Sequence, residues 1–179
     1  MESAAFALRA RVARSFRLFE ENVDLFITPS NFVKQRLIDS GLPAGKLRVV
    51  PNMVRTTKTI ADPGAGRYAA YAGRIAPEKG IDTLMEAAWR TAMPVHLAGH
   101  TTSVPQSTAP NVRWLGHLSG AALTEFYAGA RFLVVPSLWY EAFGLVVAEA
   151  MMLGIPVIAA NSGALPKLVE HGVTGLLFN

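Results

Sequence analysis

From residue 67 to the end of the chain, short apolar segments alternate with segments of helical periodicity. The apolar segments have the length of strands and read YAAYAG, VHLAG, VRWLG, FLVVPS, PVIAA and TGLLF. Apolar strands separated by helices are typical of a parallel sheet whose two faces are both covered. The sequence therefore predicts an α/β fold with a Rossmann-like parallel sheet and helices on both faces.

Four helices are predicted between these strands. The first places Ile81, Leu84, Met85 and Ala88 on one face. The others are predicted over residues 121–129, 144–153 and 165–170. Ligands of such sheets bind outside the carboxyl ends of the strands. The loop segments AGRIAPEKG, LGHLSG and PSLWYEAFG lie at these ends, so we expect the binding site there.

The first 55 residues predict a separate set of elements. A helix is expected over residues 6–22, and the segments DLFITPS and LRVVPN predict two short strands. Between them, Ser30 is the expected N-cap of a helix that stops at Gly41. Residues 56–66 are polar and contain one proline and two glycines, which is typical of a linker. We therefore expect one domain to end near residue 55 and a second to cover residues 67–179.

Composition narrows the functional classes. The chain has no cysteine, which excludes thiolate nucleophiles and zinc knuckles and fits a reducing compartment. The net charge of +4 suits an anionic ligand or an anionic membrane surface. No basic run is interleaved with aromatic residues, so we do not expect nucleic-acid binding. We expect no metal site either, since the histidines lack ligand spacing and no D-x-D pair is present.

Membrane contact is left open by the sequence. No apolar run is long and clean enough to span a bilayer, and arginines interrupt any candidate signal peptide near the N-terminus. The helix predicted over residues 6–22 carries arginines beside phenylalanines and could rest on an anionic membrane. We favour a packed amphipathic helix instead. The expected location is the cytoplasm, with the inner face of the membrane as the alternative.

Residues 139–160, WYEAFGLVVAEAMMLGIPVIAA, contain only two charged side chains, Glu141 and Glu149. Glu141 lies in the loop after FLVVPS, and Glu149 lies in the second turn of the next helix, with no polar neighbour on either side. Side chains lean toward a helix N-terminus, so Glu149 is expected to point toward Glu141. Gly144 opens that helix and lets its first amides approach an anion. We predict a pocket in which carboxylates accept sugar hydroxyls and amides bind phosphate.

The segment AGRIAPEKG adds two cations. Arg74 and Lys79 flank a proline-bearing turn after a strand. A guanidinium and an ammonium group together suit a diphosphate, although solvated loop cations would be the preferred interpretation for this segment alone.

Two phosphate-binding motifs are rejected. GAGRYA matches a dinucleotide fingerprint but precedes a strand instead of following one. Residues 73–80 resemble a P-loop but lack the final Ser or Thr.

Most of the four histidines are interpreted as surface or loop residues. His100 and His117 follow strand ends, so lining the pocket is their alternative role.

Together these segments resemble the family 4 retaining glycosyltransferases, which have the GT-B fold. The resemblance covers nearly the whole chain and is most specific in E-x7-E, here Glu141 to Glu149. ITPSNFVKQRLIDSGLPAGKLRVVPN resembles the end of the family's N-terminal, acceptor-side domain. YAGRIAPEKGIDTLMEAA and the segment from PSLWYEAFG onward resemble its nucleotide-sugar domain, incomplete at the C-terminus.

The resemblance implies a role for each matched residue. Glu141 would bind hydroxyls of the donor sugar, and Glu149 would bind the ribose. Arg74 and Lys79 would hold the diphosphate and stabilise its negative charge as it leaves. Amides of three residues would assist, namely Phe143, Gly144 and Leu145. The implied reaction is metal-independent transfer of a hexosyl group, with retention, from a UDP-, GDP- or ADP-sugar and with no cofactor.

The chain departs from the family pattern in several places, which limits the activity expected of it. Met53, Val54 and Arg55 follow VVPN, where the family has Gly and a nearby Asp, and His100 replaces a glycine-containing turn. The acceptor, a sugar or a lipid-linked sugar, would bind the N-terminal domain, most of which is not in this sequence. We therefore expect a fragment that holds the donor and does not turn over alone.

Two other functions stay open from the sequence. One is a non-catalytic module that binds a nucleotide or nucleotide sugar. The other is a dinucleotide-dependent oxidoreductase, against which the misplaced glycine motif counts.

Overall fold

The computed structural model describes residues 21–54, 60–100 and 109–179. The chain divides into two compact units, Met1–Pro51 and Asn52–Asn179. The helix predicted over residues 6–22 lies outside the described residues except for Glu21 and Asn22, which are helical. The predicted linker is described only from residue 60, where a single 3-10 turn covers Pro63–Ala65.

The first unit contains a small parallel βαβ arrangement. Strand β1 (Phe26–Thr28) pairs with β2 (Leu47–Val49), and helix α1 (Asn31–Asp39) lies between them in the chain. The Ser30 side chain accepts a hydrogen bond from the Val33 amide at 3.2 Å, which satisfies one of the unpaired donors of the first turn. The predicted cap and both predicted strands are confirmed.

The second unit is built on a six-stranded parallel sheet. Its strands are β3 (Tyr68–Ala72), β4 (Val95–Ala98), β5 (Val112–Trp114), β6 (Ala130–Val135), β7 (Val157–Ala160) and β8 (Gly175–Phe178). Their order across the sheet is β5-β4-β3-β6-β7-β8, and every neighbouring pair is parallel. This is the order of a dinucleotide-binding sheet.

Helices cover both faces of this sheet. Helix α2 (Ile81–Trp89) buries its four predicted apolar positions in one core cluster, whereas α3 (Gly120–Ala128) and α4 (Leu145–Met152) bury theirs in a second. Alternate residues of β3 enter the two clusters, since Ala70 packs in one and Tyr71 in the other. The fold class predicted from the alternating pattern is therefore confirmed.

The helix predicted over residues 165–170 is wrong as an α-helix. The segment forms one 3-10 turn, Leu165–Lys167. Pro166 lies in its first turn, where a proline is tolerated, so the proline does not itself end a helix. The Glu170 amide instead donates to the Thr174 hydroxyl, and the Glu170 carbonyl accepts from the amides of residues 173 and 174, so the backbone turns away after this single turn.

The sheet has a topological switch point between β3 and β6. The chain leaves β3 toward β4 on one side and later returns to β6 on the other, so the loops after these strands diverge and leave a crevice. The two loops are tied together at its base, since the Leu138 and Trp139 amides donate to the Glu78 carbonyl at 3.1 and 3.2 Å. The predicted chemistry-bearing segments AGRIAPEKG and PSLWYEAFG are these two loops.

Candidate functional site

A cavity of about 310 Å³ opens at the switch point. We call it the cationic cavity; its polar lining includes Arg74, Lys79, Ser137 and Glu141. The start of α4 completes the wall. Six of the seven predicted site residues line this one cavity: Arg74, Lys79, Glu141, Phe143, Gly144 and Leu145.

Lys79 and Glu141 form an ion pair inside the cationic cavity. Lys79 Nζ lies 2.6 Å from Glu141 Oε1, and the two side chains are only 27% and 18% exposed. The hydroxyl of buried Ser137 donates to the same carboxylate oxygen. The loop after β3 thus contributes the cation and the loop after β6 the anion.

Arg74 is also paired with a carboxylate. Its Nη2 lies 2.6 Å from Glu78 Oε1, four residues along the same loop. The Arg74 side chain is 62% exposed, so this pair is weakened by solvent and its partner can be exchanged at little cost. In the free protein, the two cations predicted to bind a diphosphate are therefore each paired with a carboxylate.

The backbone beneath Arg74 is held by a buried tyrosine. The Tyr71 hydroxyl donates to the Arg74 carbonyl at 2.7 Å. Burial and the nearby charge of Glu141 raise the pKa of Tyr71, so the phenol stays protonated and keeps donating. This contact fixes the chain as it leaves β3 and enters the cationic cavity.

Helix α4 begins at the cavity wall. Gly144 precedes its first residue with φ 96°, and a Cβ at this position would come within 2.8 Å of a Leu165 methyl group. Glycine adopts this left-handed conformation without strain, and a larger residue would also have to displace the buried Leu165 side chain. Because the first amides of a helix have no intrahelical acceptor, the N-terminus of α4 offers donors and a partial positive charge to this cavity.

A second cavity of about 270 Å³ adjoins the first. We call it the histidine cavity; its lining includes His100, His117, Tyr127 and Glu149. The two cavities share Arg74 and the residues around it. The His100 and His117 rings stack with centroids 4.0 Å apart. The alternative role considered for these histidines, lining the pocket, is the one that the structure supports.

Glu149 lines the histidine cavity and a third cavity of about 550 Å³ beside α3, but not the cationic cavity. The expected single pocket with both glutamates is therefore divided into two adjoining spaces. The Tyr127 hydroxyl donates to Glu149 Oε2 at 2.9 Å. That contact links the carboxylate to α3. Glu141 is thus a hydrogen-bond acceptor beside cations, whereas Glu149 is an acceptor beside aromatic rings.

Sequence reasoning missed four residues that hold the predicted ones. Ser137 and Glu78 bind Glu141 and Arg74, while Tyr71 and Tyr127 fix the loop after β3 and Glu149. Their positions at strand ends or on a helix carry no spacing signal. Only Ser137 had a local indication, because it ends FLVVPS directly after Pro136.

A metal site and a membrane-spanning helix are both absent from the part of the chain that the structure describes. No group of three or more histidine, aspartate or glutamate side chains there could hold a metal ion. No helix among those residues is long and apolar enough to cross a membrane.

Comparisons with known proteins identify the family of the chain. The family model described as "Glycosyl transferases group 1" matches residues 66–179, and "Glycosyltransferase Family 4" matches residues 3–58. Among solved structures, Anabaena HepE in complex with UDP and glucose superposes with a TM-score of 0.79. It is 26% identical, and the match covers 94% of this chain and 52% of HepE.

Two curated relatives are similar over shorter stretches. A D-inositol 3-phosphate glycosyltransferase of Actinosynnema mirum is 33% identical, over 75% of this chain and 40% of its own length. The O-antigen chain mannosyltransferase B of Escherichia coli is 35% identical, over 62% of this chain and 32% of its own. The chain thus spans about half the length of these relatives, or less. The two-loop cavity, the strand order and the family model over residues 66–179 together show that this chain belongs to the glycosyl transferases group 1 family, with the GT-B type of fold.

Proposed function

We propose that residues 52–179 bind the nucleoside diphosphate sugar of a glycosyltransferase. The observation that carries the proposal is the convergence of Arg74, Lys79 and the N-terminus of α4 on one cavity that also contains Glu141. Cations and helix amides suit a diphosphate, and a carboxylate suits sugar hydroxyls. The complex of HepE with UDP and glucose supports the same assignment by similarity.

The two cavities give the donor an orientation. The diphosphate and sugar occupy the cationic cavity, where Lys79 offsets the charge of Glu141 next to the phosphates. The nucleoside occupies the histidine cavity, where Glu149 accepts from ribose hydroxyls beside the imidazole rings of His100 and His117. Arg74 borders both spaces and therefore lies where the diphosphate joins them.

Binding of the diphosphate changes the partners of the two cations. Arg74 and Lys79 release Glu78 and Glu141, at least in part, and turn toward phosphate oxygens. The released Glu141 then accepts from the sugar. As the bond between sugar and diphosphate breaks, charge develops on the leaving phosphate, and the two cations stabilise it more than they stabilise the ground state.

The finer features of the reaction rest on the resemblance to family 4. That resemblance supports hexosyl transfer with retention of configuration. Metal independence is supported by Arg74 and Lys79, which supply two positive charges at the diphosphate without a bound cation. The acceptor is a sugar or lipid-linked sugar bound by the rest of the protein.

A hybrid tests transfer directly. This chain is joined to the part of HepE that it does not cover, and the hybrid is supplied with UDP-glucose and simple glucoside acceptors. Proton NMR of the anomeric hydrogen should show an α-linked product from the α-linked donor, at the same rate with a chelator. A β-linked product would contradict retention. A hybrid that binds UDP-glucose tightly but releases no UDP would favour the non-catalytic binding module.

A further inference from the structure

The two glutamates of the E-x7-E pattern are held by different kinds of donor. Glu141 is held by an ammonium group and a serine hydroxyl, whereas Glu149 is held by the phenol of Tyr127. Among the described residues, Tyr127 is the one side chain that hydrogen-bonds Glu149. An ionised carboxylate only accepts hydrogen bonds, so the phenol is the donor. Glu149 is therefore oriented by a neutral donor.

The hydroxyl of Tyr127 is not needed to fill the core. Its ring is 2% exposed and packs against Phe126, with centroids 5.8 Å apart, and a phenylalanine ring would occupy the same space. A buried hydroxyl costs free energy unless it is hydrogen-bonded. Burial and the charge of Glu149 both raise the pKa of Tyr127, so the phenol remains a donor at neutral pH.

Tyr68 shows what a purely structural tyrosine looks like in this fold. It lies on β3, and its hydroxyl donates to the Phe126 carbonyl at 2.6 Å. That acceptor is a backbone group in the α3 helix, and Tyr68 lines neither the cationic nor the histidine cavity. The Tyr127 hydroxyl differs because its acceptor is a side chain at a cavity wall.

We propose that Tyr127 is a positioning residue for nucleoside recognition, holding one oxygen of Glu149 so that the other accepts from the vicinal hydroxyls of the ribose. This inference rests on the proposed function. Because the carboxylate is already oriented, the side-chain entropy that Glu149 would lose on binding is lost in the free protein. Because its charge is retained, the hydrogen bonds to the ribose are charge-assisted.

The test compares three ligands by calorimetry: UDP, 2′,3′-dideoxy-UDP and pyrophosphate. If the chain binds GDP or ADP more tightly than UDP, that nucleotide and its dideoxy analogue replace the uridine pair. Wild-type protein should prefer UDP over the dideoxy analogue by at least about tenfold, the size expected for charge-assisted hydrogen bonds. Tyr127→Phe should lower the affinity for UDP about tenfold. It should leave the affinities for dideoxy-UDP and pyrophosphate unchanged, so that the preference disappears.

Tyr68→Phe is the matched control. It removes a part-buried phenol hydrogen bond of similar length from the same unit, and it should retain the preference for UDP. A folded Tyr127→Phe protein with an undiminished preference would overturn the proposal. So would an equal loss of preference in both variants, because the effect would then be a general loss of packing.

A second measurement does not depend on the stability of a variant. In a crystal structure of the wild-type chain with UDP, Glu149 should contact Tyr127 with one oxygen and a ribose hydroxyl with the other. A Glu149 turned away from Tyr127 in that complex would refute the proposal. Failure of the proposed function is distinct: wild type would then bind none of UDP, GDP or ADP. Equal binding of UDP and its dideoxy analogue by the wild type would refute ribose recognition by Glu149 and with it the role of Tyr127, but not the binding of a diphosphate.

Discussion

At the scale of single residues, the charged side chains of the site are paired with one another until a ligand binds. Arg74 and Lys79 are each bound to a carboxylate in the free protein, and a ligand must compete for them. The sequence predicted the cations and Glu141 from residue type and position. It could not predict which carboxylate pairs with which cation, because pairing depends on side-chain rotamers and on two loops that are 62 residues apart.

Removing the competing carboxylate of Glu78 should strengthen diphosphate binding. Glu78→Gln breaks the ion pair with Arg74 while the backbone carbonyl of residue 78 still accepts from the loop after β6. Since partly exposed ion pairs contribute up to about 1 kcal/mol, we expect the affinity for pyrophosphate and UDP to rise by about two- to fivefold. Calorimetry measures both.

The chain offers a matched control for this variant. Glu86→Gln breaks another i,i+4 pair, with Arg90 on α2, at residues that line neither cavity. It should leave the affinity unchanged. Weaker binding in Glu78→Gln alone would show that Glu78 orients Arg74 for the phosphate and does not compete with it.

At the scale of elements, the site depends on how closely the loops after β3 and β6 approach each other. Gly80 lies at the start of α2 with φ 73°, and a Cβ there would come within 1.9 Å of the Pro136 carbonyl oxygen. A side chain at this position would push the two loops apart. The ion pair between Lys79 and Glu141 bridges the same gap, so it would be lost with the contact.

Gly80→Ala should therefore destabilise the fold more than conformational strain alone explains. Gly116→Ala is the reference, because Gly116 has φ 75° and open space around its would-be Cβ. The left-handed conformation costs about 1–2 kcal/mol in either variant. Overpacking should add about 1–3 kcal/mol in Gly80→Ala. Chemical denaturation measures the free energy of unfolding, and equal losses in the two variants would contradict the close approach.

Strands and helices with a clear apolar periodicity were predictable from the sequence, whereas the segment of residues 165–170 was not. The six strands of the large sheet and helices α2, α3 and α4 follow from apolar runs and helical spacing. The segment of residues 165–170 has apolar residues at helical spacing. There, the Glu170 amide bonds the Thr174 hydroxyl in place of a helical acceptor, and only a 3-10 turn forms.

At the scale of the whole molecule, strand order decides where the site lies. The alternation of strands and helices predicts a parallel sheet but does not encode the order of its strands, because pairing between distant segments is a tertiary property. The observed order puts the switch point between β3 and β6 and so brings the two loops rich in polar residues together. The separation of Glu149 from the cationic cavity was likewise beyond sequence reasoning, since the packing of side chains such as Tyr127 around Glu149 is a tertiary property.

The central claim is that the cationic cavity binds a nucleoside diphosphate. Calorimetric titration of the chain with UDP, GDP and ADP tests it most directly, repeated with Lys79→Met and with Lys167→Met as the control. Lys167 is exposed and lines neither cavity. At least one diphosphate should bind, and Lys79→Met should weaken it by about 1.5–3 kcal/mol, through loss of charge-assisted hydrogen bonds, while Lys167→Met changes nothing. A folded chain that binds none of the three, or binds equally well without Lys79, would contradict the assignment of this cavity.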